Sequence, residues 1–208
     1  MSSKIVLQAA GCWLFFLAAS LCSASDDAPV SVALIERDSY TLNSQFIVPV
    51  PPQIAWNVLT DYDHLSQFVH SMRGHIRSEK GDDLLVNQVA TGGFLFFTVS
   101  VSALLLIHEE PIHDILFTDT TGKDFKNYSG SWNLLPIPQG TQIIYQLKAE
   151  KNKNTPGFVT GKILQSTTRD LLNELRREME RREVLIQKNV SSSTKNANRF
   201  KTSASLSK

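Results

Sequence analysis

The 208-residue sequence predicts an α+β fold, a curved antiparallel sheet wrapped around one long C-terminal helix. Three observations predict it. From Ala90 to Glu150 apolar and polar residues alternate, with many aromatic and β-branched side chains, as half-buried strands require. The breaks in that tract are short, and short links between consecutive strands favour an antiparallel meander. From Pro156 to Gln187 the period becomes that of a single amphipathic helix.

The elements follow in order. Residues 1–25 read as a secretory signal. Lys4 supplies the positive start, Ile5 to Leu21 is largely apolar, and the small residues Ser23, Ala24 and Ser25 precede Asp26-Asp27. The expectation is cleavage after Ala24 or Ser25 and a secreted or periplasmic protein. The alternative is an uncleaved N-terminal membrane anchor, since the apolar run approaches the ~18 residues that begin to span a bilayer. Both cysteines, Cys12 and Cys22, fall inside this segment, so the mature chain would have no disulfide, thiolate nucleophile or cysteine metal ligand. The roughly 180 residues that remain suffice for a packed core.

The domain occupies residues 26–187. Val30, Val32 and Leu34 alternate with polar residues, Tyr40 and Leu42 do so again, and Phe46 to Val50 is apolar. This is a hairpin with its turn at Arg37 to Ser39 and a long second strand. Pro51 and Pro52 end that strand, because proline cannot donate to a ladder, and they suit the first turn of a helix. Gln53 to Thr60 is a short helix and His64 to Ser71 a second. Strands follow at Arg73 to Ser78 and Leu84 to Thr91, with turns at Gly81-Asp82 and Gly92-Gly93. Four more run over Phe94 to His108, Ile112 to Asp119, Asp124 to Leu135 and Thr141 to Glu150. Thr155-Pro156 reads as the cap and first turn of the closing helix. Its apolar stripe is Leu164, Thr168, Leu171, Leu175 and Met179, and its charged face from Arg169 to Glu183 reads as solvated. Residues 188–208, rich in Ser, Asn and Lys with no acid, read as a disordered basic tail.

Alternation assigns an inward face. Val99, Val101, Ala103, Leu105 and Ile107 share one side, as do Ile115 and Phe117, then Tyr128, Gly130, Trp132 and Leu134, then Ile143, Tyr145 and Leu147. Any half-buried sheet needs such residues as core. The argument for a cavity is geometric: a strongly curved sheet and one helix leave space between them, and Gly130 adds room. The cavity candidates are Phe94, Phe96, Val99, Val101, Ala103, Leu105, Ile115, Phe117, Tyr128, Trp132, Tyr145, Phe158, Leu164, Thr168, Leu171 and Leu175. The expected entrance lies at Gly92-Gly93, Gly122-Lys123 and Thr155 to Phe158, with Phe94, Phe96 and Phe158 as gate residues.

The stretch Val50-Pro51-Pro52-Gln53-Ile54-Ala55-Trp56-Asn57-Val58-Leu59-Thr60-Asp61-Tyr62-Asp63-His64-Leu65 with Phe68 resembles the start of the START-like helix-grip superfamily (SRPBCC), in its polyketide cyclase and coenzyme Q-binding branch. Asp124-Phe125 with Gly130-Ser131-Trp132-Asn133-Leu134, Gly140-Thr141 with Tyr145, and Arg169-Asp170-Leu171 through Arg181-Arg182 are similar to that branch's later strands and closing helix. The resemblance covers Val30 to Arg182. It implies a helix-grip fold with a hydrophobic tunnel, in which family members bind or carry lipids, quinones, sterols or polyketides and a minority cyclise or dehydrate them. The matched positions are fold markers, and one fold hosts many functions.

Lys plus Arg number 21 and Asp plus Glu 20, so no broad basic field exists to collect nucleic acid. His108-Glu109-Glu110-Pro111-Ile112-His113 has one residue too many for a zinc-protease helix, and His64, His70 and His75 lack a ligand spacing. No metal and no cofactor is expected. The leading expectation is a monomeric, non-catalytic protein that binds or transports a hydrophobic small molecule or lipid in an internal cavity and touches a membrane transiently. The alternative is a cyclase or dehydratase acting on a polyketide-like or aromatic substrate, with Tyr128 and Tyr145 as its titratable groups. A third reading makes the doubly apolar strand Leu104 to Ile107 a subunit contact.

Overall fold

A computed structural model describes residues 28–36, 38–80, 83–94, 97–155, 157 and 159–205. The expected signal at 1–25, the turn at Gly81-Asp82, and Phe96 and Phe158 lie outside the described residues, as do the side chains of Phe94 and Val99.

The chain runs β1 (Val30–Glu36), β2 (Ser39–Val48), α1 (Pro52–Leu59), a 3-10 helix (Tyr62–Gln67), β3 (Met72–Lys80), β4 (Asp83–Phe94), β5 (Phe97–Glu110), β6 (Asp114–Asp119), β7 (Phe125–Ile137), β8 (Gly140–Lys151) and α2 (Gly161–Ser205). All eight strands form one antiparallel sheet in the order β1-β2-β8-β7-β6-β5-β4-β3. The last six strands are a plain meander. The hairpin β1-β2 is added beside β8, so the chain between β2 and β3 must cross from one end of the sheet to the other. It crosses as α1 and the 3-10 helix, started by the paired prolines: Pro51 is extended and Pro52 opens the helix.

The main hydrophobic core lies between the concave face, α1 and α2. Leu42, Val48, Leu105, Ile107, Ile115, Leu134, Ile143 and Leu147 come from the sheet, Trp56 and Val58 from α1, and Leu171, Leu172, Leu175 and Met179 from α2, all buried. The outward partners of these strand residues are exposed: Leu106 (40%), Leu116 (51%) and Leu135 (45%). The predicted inward faces of β5 to β8 are therefore the faces that pack against α2. Leu105 and Ile107 point inward, while Leu106 is open on the convex side.

Gly140 shows how tightly the β2–β8 junction closes. Its φ is +134°, and a Cβ there would stand 2.1 Å from the Val48 carbonyl oxygen, so only glycine fits. Next to it the Thr141 hydroxyl donates to the Val50 carbonyl at 2.7 Å and is fully buried.

Several boundaries differ from the sequence reading. The second short helix is a 3-10 helix that starts two residues earlier than expected, at Tyr62. Gly92-Gly93 is not a turn: both pair with β5, Gly92 with Val99 and Gly93 with Thr98. The closing helix begins at Gly161 instead of Pro156. Thr155 does not cap it, because its hydroxyl donates to the Asp124 carbonyl at 2.5 Å and so ties the segment after β8 to the start of β7. The helix also continues past Gln187 to Ser205, in place of the expected disordered tail. No glycine or proline occurs between residues 188 and 205 to stop it.

Candidate functional site

Two adjoining chambers lie between the concave face and α2. The outer one has a volume of about 130 Å³ and is lined by Ser71, Met72, Gln88, Ala90, Thr91, Val101, Ala103, Phe125, Tyr128, Tyr145, Leu147, Val159, Ile163, Leu164, Thr167, Thr168 and Leu171. The inner one, about 70 Å³, is lined by Leu59, Tyr62, Leu65, Met72, Gly74, Val86, Gln88, Leu105, Ile107, Ile115, Phe117, Tyr128, Trp132, Tyr145, Leu171 and Leu175. Five residues belong to both walls: Met72, Gln88, Tyr128, Tyr145 and Leu171. They form a waist between the chambers. Thr91 and Thr167, on the outer wall, are exposed and mark its rim.

Of the predicted cavity residues, Val101, Ala103, Leu164 and Thr168 line the outer chamber, and Leu105, Ile115, Phe117, Trp132 and Leu175 the inner one. Tyr128, Tyr145 and Leu171 stand at the waist. The expected entrance at Gly122-Lys123 does not line the cavity. There the Asn152 amide donates to the Gly122 and Lys123 carbonyls at 2.8 and 3.1 Å, closing that end of the sheet. Nor does Gly130 provide empty room: the Phe117 ring lies over it, 2.5 Å from where a Cβ would be. The sequence reading missed the contribution of β3 and β4. Met72, Val86, Gln88 and Ala90 form the wall opposite the tyrosines, and only the apolar Val86 and Ala90 on either side of Gln88 hinted at it.

An aromatic chain builds the tyrosine wall. Ring centroids are 5.4 Å apart for Phe125 and Tyr128, 6.1 Å for Phe117 and Tyr128, 6.4 Å for Phe117 and Tyr145, and 4.3 Å for Trp132 and Tyr145. Alternation puts Tyr128 and Trp132 on one face of β7, with Trp132 paired across the ladder to Tyr145 on β8, and the register shift between Phe125 and Asn127 brings Phe125 to the same side.

No Lys, Arg, His, Asp or Glu lines either chamber among the described residues. The titratable groups in the wall are phenols. Burial, with the Asp119 carboxylate as a smaller influence, pushes Tyr128 up from 10.0 to about 12. Burial, then the neighbouring Tyr128, holds Tyr145 well above 10.0. Tyr62 is raised as well, first by burial and then by its hydrogen bond to Glu109, to whose Oε1 its hydroxyl donates at 2.6 Å. All three are neutral donors near pH 7. Outside the cavity, the histidines considered as metal ligands each face one carboxylate at the surface: His64 with Asp61, His70 with Glu174 and His75 with Asp63. No metal-holding cluster of His, Cys, Asp and Glu occurs among the described residues.

The charged face of α2 is not wholly solvated. Glu178 is buried and accepts from Arg181 Nε at 2.6 Å and Arg182 Nε at 2.7 Å. Arg182 then reaches across to Asp61 Oδ2 at 2.6 Å and the Asn57 carbonyl at 3.1 Å, with its guanidinium 5.3 Å from the centre of the Phe68 ring. This network clamps α2 onto the crossing segment that forms the floor of the inner chamber.

Solved structures share this architecture. TTHA0849 from Thermus thermophilus superposes with a TM-score of 0.57 at 20% identity, covering 67% of this chain and 96% of that one. The Zhui aromatase/cyclase from Streptomyces sp. R1128 gives 0.57 at 17%, with 69% and 95% covered. A STAR-related lipid transfer protein from Xanthomonas axonopodis gives 0.55 at 13%, with 73% and 98% covered. At such identities the likeness is one of fold, an SRPBCC/START-like helix-grip. No curated protein sequence matches the chain. Residues 48–176, more than half of the sequence, match the family described as polyketide cyclase / dehydrase and lipid transport, and the protein belongs to that family.

Proposed function

We propose that this protein captures and carries an uncharged hydrophobic small molecule, or the apolar part of a lipid, in the chambers between its sheet and α2. The observation that carries the reading is the wall itself: apolar and aromatic, with a few neutral polar groups and no formal charge among the described residues. Transfer of a ligand from water or a membrane gains about 25 cal/mol for each Å² of apolar surface buried, less the cost of immobilisation. A cyclase or dehydratase of the kind the family also includes needs a base poised near neutral pH. The described wall offers only tyrosines raised away from that range, which favours carriage.

Export fits the same reading. The apolar, nearly uncharged start with its small-residue end supports a secretory signal and a role outside the cytoplasm, where a carrier meets membrane surfaces. No helix among the described residues is long and apolar enough to cross a membrane. The test is native mass spectrometry of protein purified from its own compartment, followed by organic extraction. A recurrent neutral lipophilic ligand is expected. Protein that is empty in repeated preparations and indifferent to a panel of lipids and aromatic compounds would overturn the proposal.

A further inference from the structure

Among the described residues, the last fully buried side chain of α2 is Met179, and the Arg182 clamp closes the docked part of the helix. Every residue from 184 to 193 is exposed, and the helix runs on to Ser205. About 22 residues, or ~33 Å of helix, therefore extend past the clamp. Their sequence has a pattern. Ile186, Val190, Ser193, Ala197, Phe200 and Ala204 recur at alternating steps of four and three, so these positions fall along one line of the helix. Ile186 is 47% and Val190 57% exposed, so the line begins in solvent. The positions of Lys188, Lys195 and Arg199 fall on the opposite line and that of Lys201 beside the apolar one, and no Asp or Glu follows Glu183. Ser193 interrupts the apolar line, but its hydroxyl donates to the Asn189 carbonyl at 2.9 Å and brings no unmet donor. Residues 189–198 are rich in Asn, Ser and Thr, which are weak helix formers, and an isolated helix of this length is marginal in water. A surface that takes up the apolar line would stabilise it.

We infer that the C-terminal half of α2 is a docking helix for an anionic lipid surface, with its apolar line at the boundary of headgroups and acyl chains and its cations among the headgroups. The inference does not depend on what the chambers hold. Charge selects the occupant. A second copy of the helix would set cations against cations with no acid to pair them, and a seam containing Ser193, Ala197 and Ala204 buries little apolar surface. A nucleic acid would accept the cations but offers nothing to Ile186, Val190 and Phe200. An anionic bilayer meets both demands at once, since it attracts basic residues and takes up an apolar helix face.

The experiment sediments protein purified from its own compartment with vesicles of equal parts phosphatidylglycerol and phosphatidylcholine, and with vesicles of phosphatidylcholine alone. The neutral vesicles also report any contribution of the apolar N-terminus, which the variants leave in place. The wild type is expected to bind the anionic vesicles at least about tenfold more tightly and to lose most of that preference at high salt. Lys195→Gln, Arg199→Gln and Lys201→Gln together should weaken anionic binding by about a hundredfold, near fivefold per charge. Ile186→Ser with Val190→Ser should weaken it by about tenfold and leave the salt dependence as it was. All these positions lie past the clamp, so the melting temperature should stay at the wild-type value in both variants. Equal binding to the two kinds of vesicle, or anionic binding that survives the triple charge variant, would overturn the inference. So would tighter binding to duplex DNA than to vesicles, or a dimer in light scattering that the Ile186, Val190 variant abolishes. None of these outcomes touches the carrier reading, which is decided by what the chambers contain.

Discussion

Tyr128 and Tyr145 occupy the one level of the cavity where chemistry is concentrated, and their burial has a measurable consequence. Tyr128 is raised to about 12 and Tyr145 is held well above 10, both mainly by burial. In the unfolded chain both would ionise near 10, so unfolding above that pH releases protons that the native state retains. Their contribution is complete below pH 10 and is lost as pH rises through 10 toward 12 and beyond, at about 1.4 kcal/mol per pH unit for each tyrosine. Urea unfolding at stepped alkaline pH is expected to show this slope, and the double Tyr-to-Phe variant to flatten it. An equal slope in both proteins would mean that these phenols are not held neutral by the fold. The two tyrosines were legible in the sequence because they alternate with polar residues on strands that have one wet face. Gln88 was not. A polar residue in a strand reads as outward-facing, yet here it lines the cavity, so the alternation rule hides the residues a binding site uses to choose its ligand.

At the scale of elements, the same contrast decides what could be read. Strands β5 to β8 bury one face and wet the other, and their inward residues were found from spacing alone. Strand β3 has the sequence Met72-Arg73-Gly74-His75-Ile76-Arg77-Ser78 and a register shift between Ile76 and Ser78, so its period is broken and its wall contribution stayed hidden. The start of α2 was misplaced because Asn152 and Thr155 commit their side chains to the turn after β8, an alternative to helix capping that the sequence cannot distinguish. Spacing alone reads Arg182 as a solvated charge, because the partners that bury it, Asp61 and Phe68, come from more than 100 residues away. Arg182→Ala is expected to cost about 2 kcal/mol, below the 3–5 kcal/mol of a fully buried pair because the arginine keeps contact with solvent. The Arg181 hydrogen bond first, and Arg182 after it, hold the Glu178 carboxyl below its usual value against the opposing effect of burial. For Asp61, burial is the largest single influence and works upward, but Arg182 and His64 together outweigh it. Both carboxylates therefore stabilise the fold above the ordinary carboxylate range and lose that contribution as pH falls through their lowered values. Chemical denaturation at neutral pH and near pH 3 checks this: the gap between wild type and Arg182→Ala should narrow in acid. A constant gap would assign the loss to packing on Phe68 instead.

The whole molecule is a compromise between a packed core and a kept space. The core around the chambers is dense, with Leu134, Ile143, Leu172 and Met179 fully buried. Between the sheet and α2 the two chambers remain open. At ~24 cal/mol per Å³, a chamber of about 130 Å³ forgoes at most about 3 kcal/mol of packing, less whatever its open rim returns through hydration. Ordinary selection for stability would fill such a space with larger side chains, and the chain has small ones there: Ala90 on β4 and Ala103 on β5. Ala103→Leu adds three carbons that point into the outer chamber from a strand whose neighbours already hold their positions. If the chamber exists to take a ligand, this change should separate stability from function. The melting temperature is expected to rise by roughly 2–4 °C, the equivalent of about 1 kcal/mol in a domain of this size. Uptake of a small neutral aromatic probe such as isopropylbenzene should fall, because the added carbons remove volume from the outer chamber. A melting temperature that falls would mean that the chamber is already filled by the motion of its walls, and that these two alanines are there for packing alone.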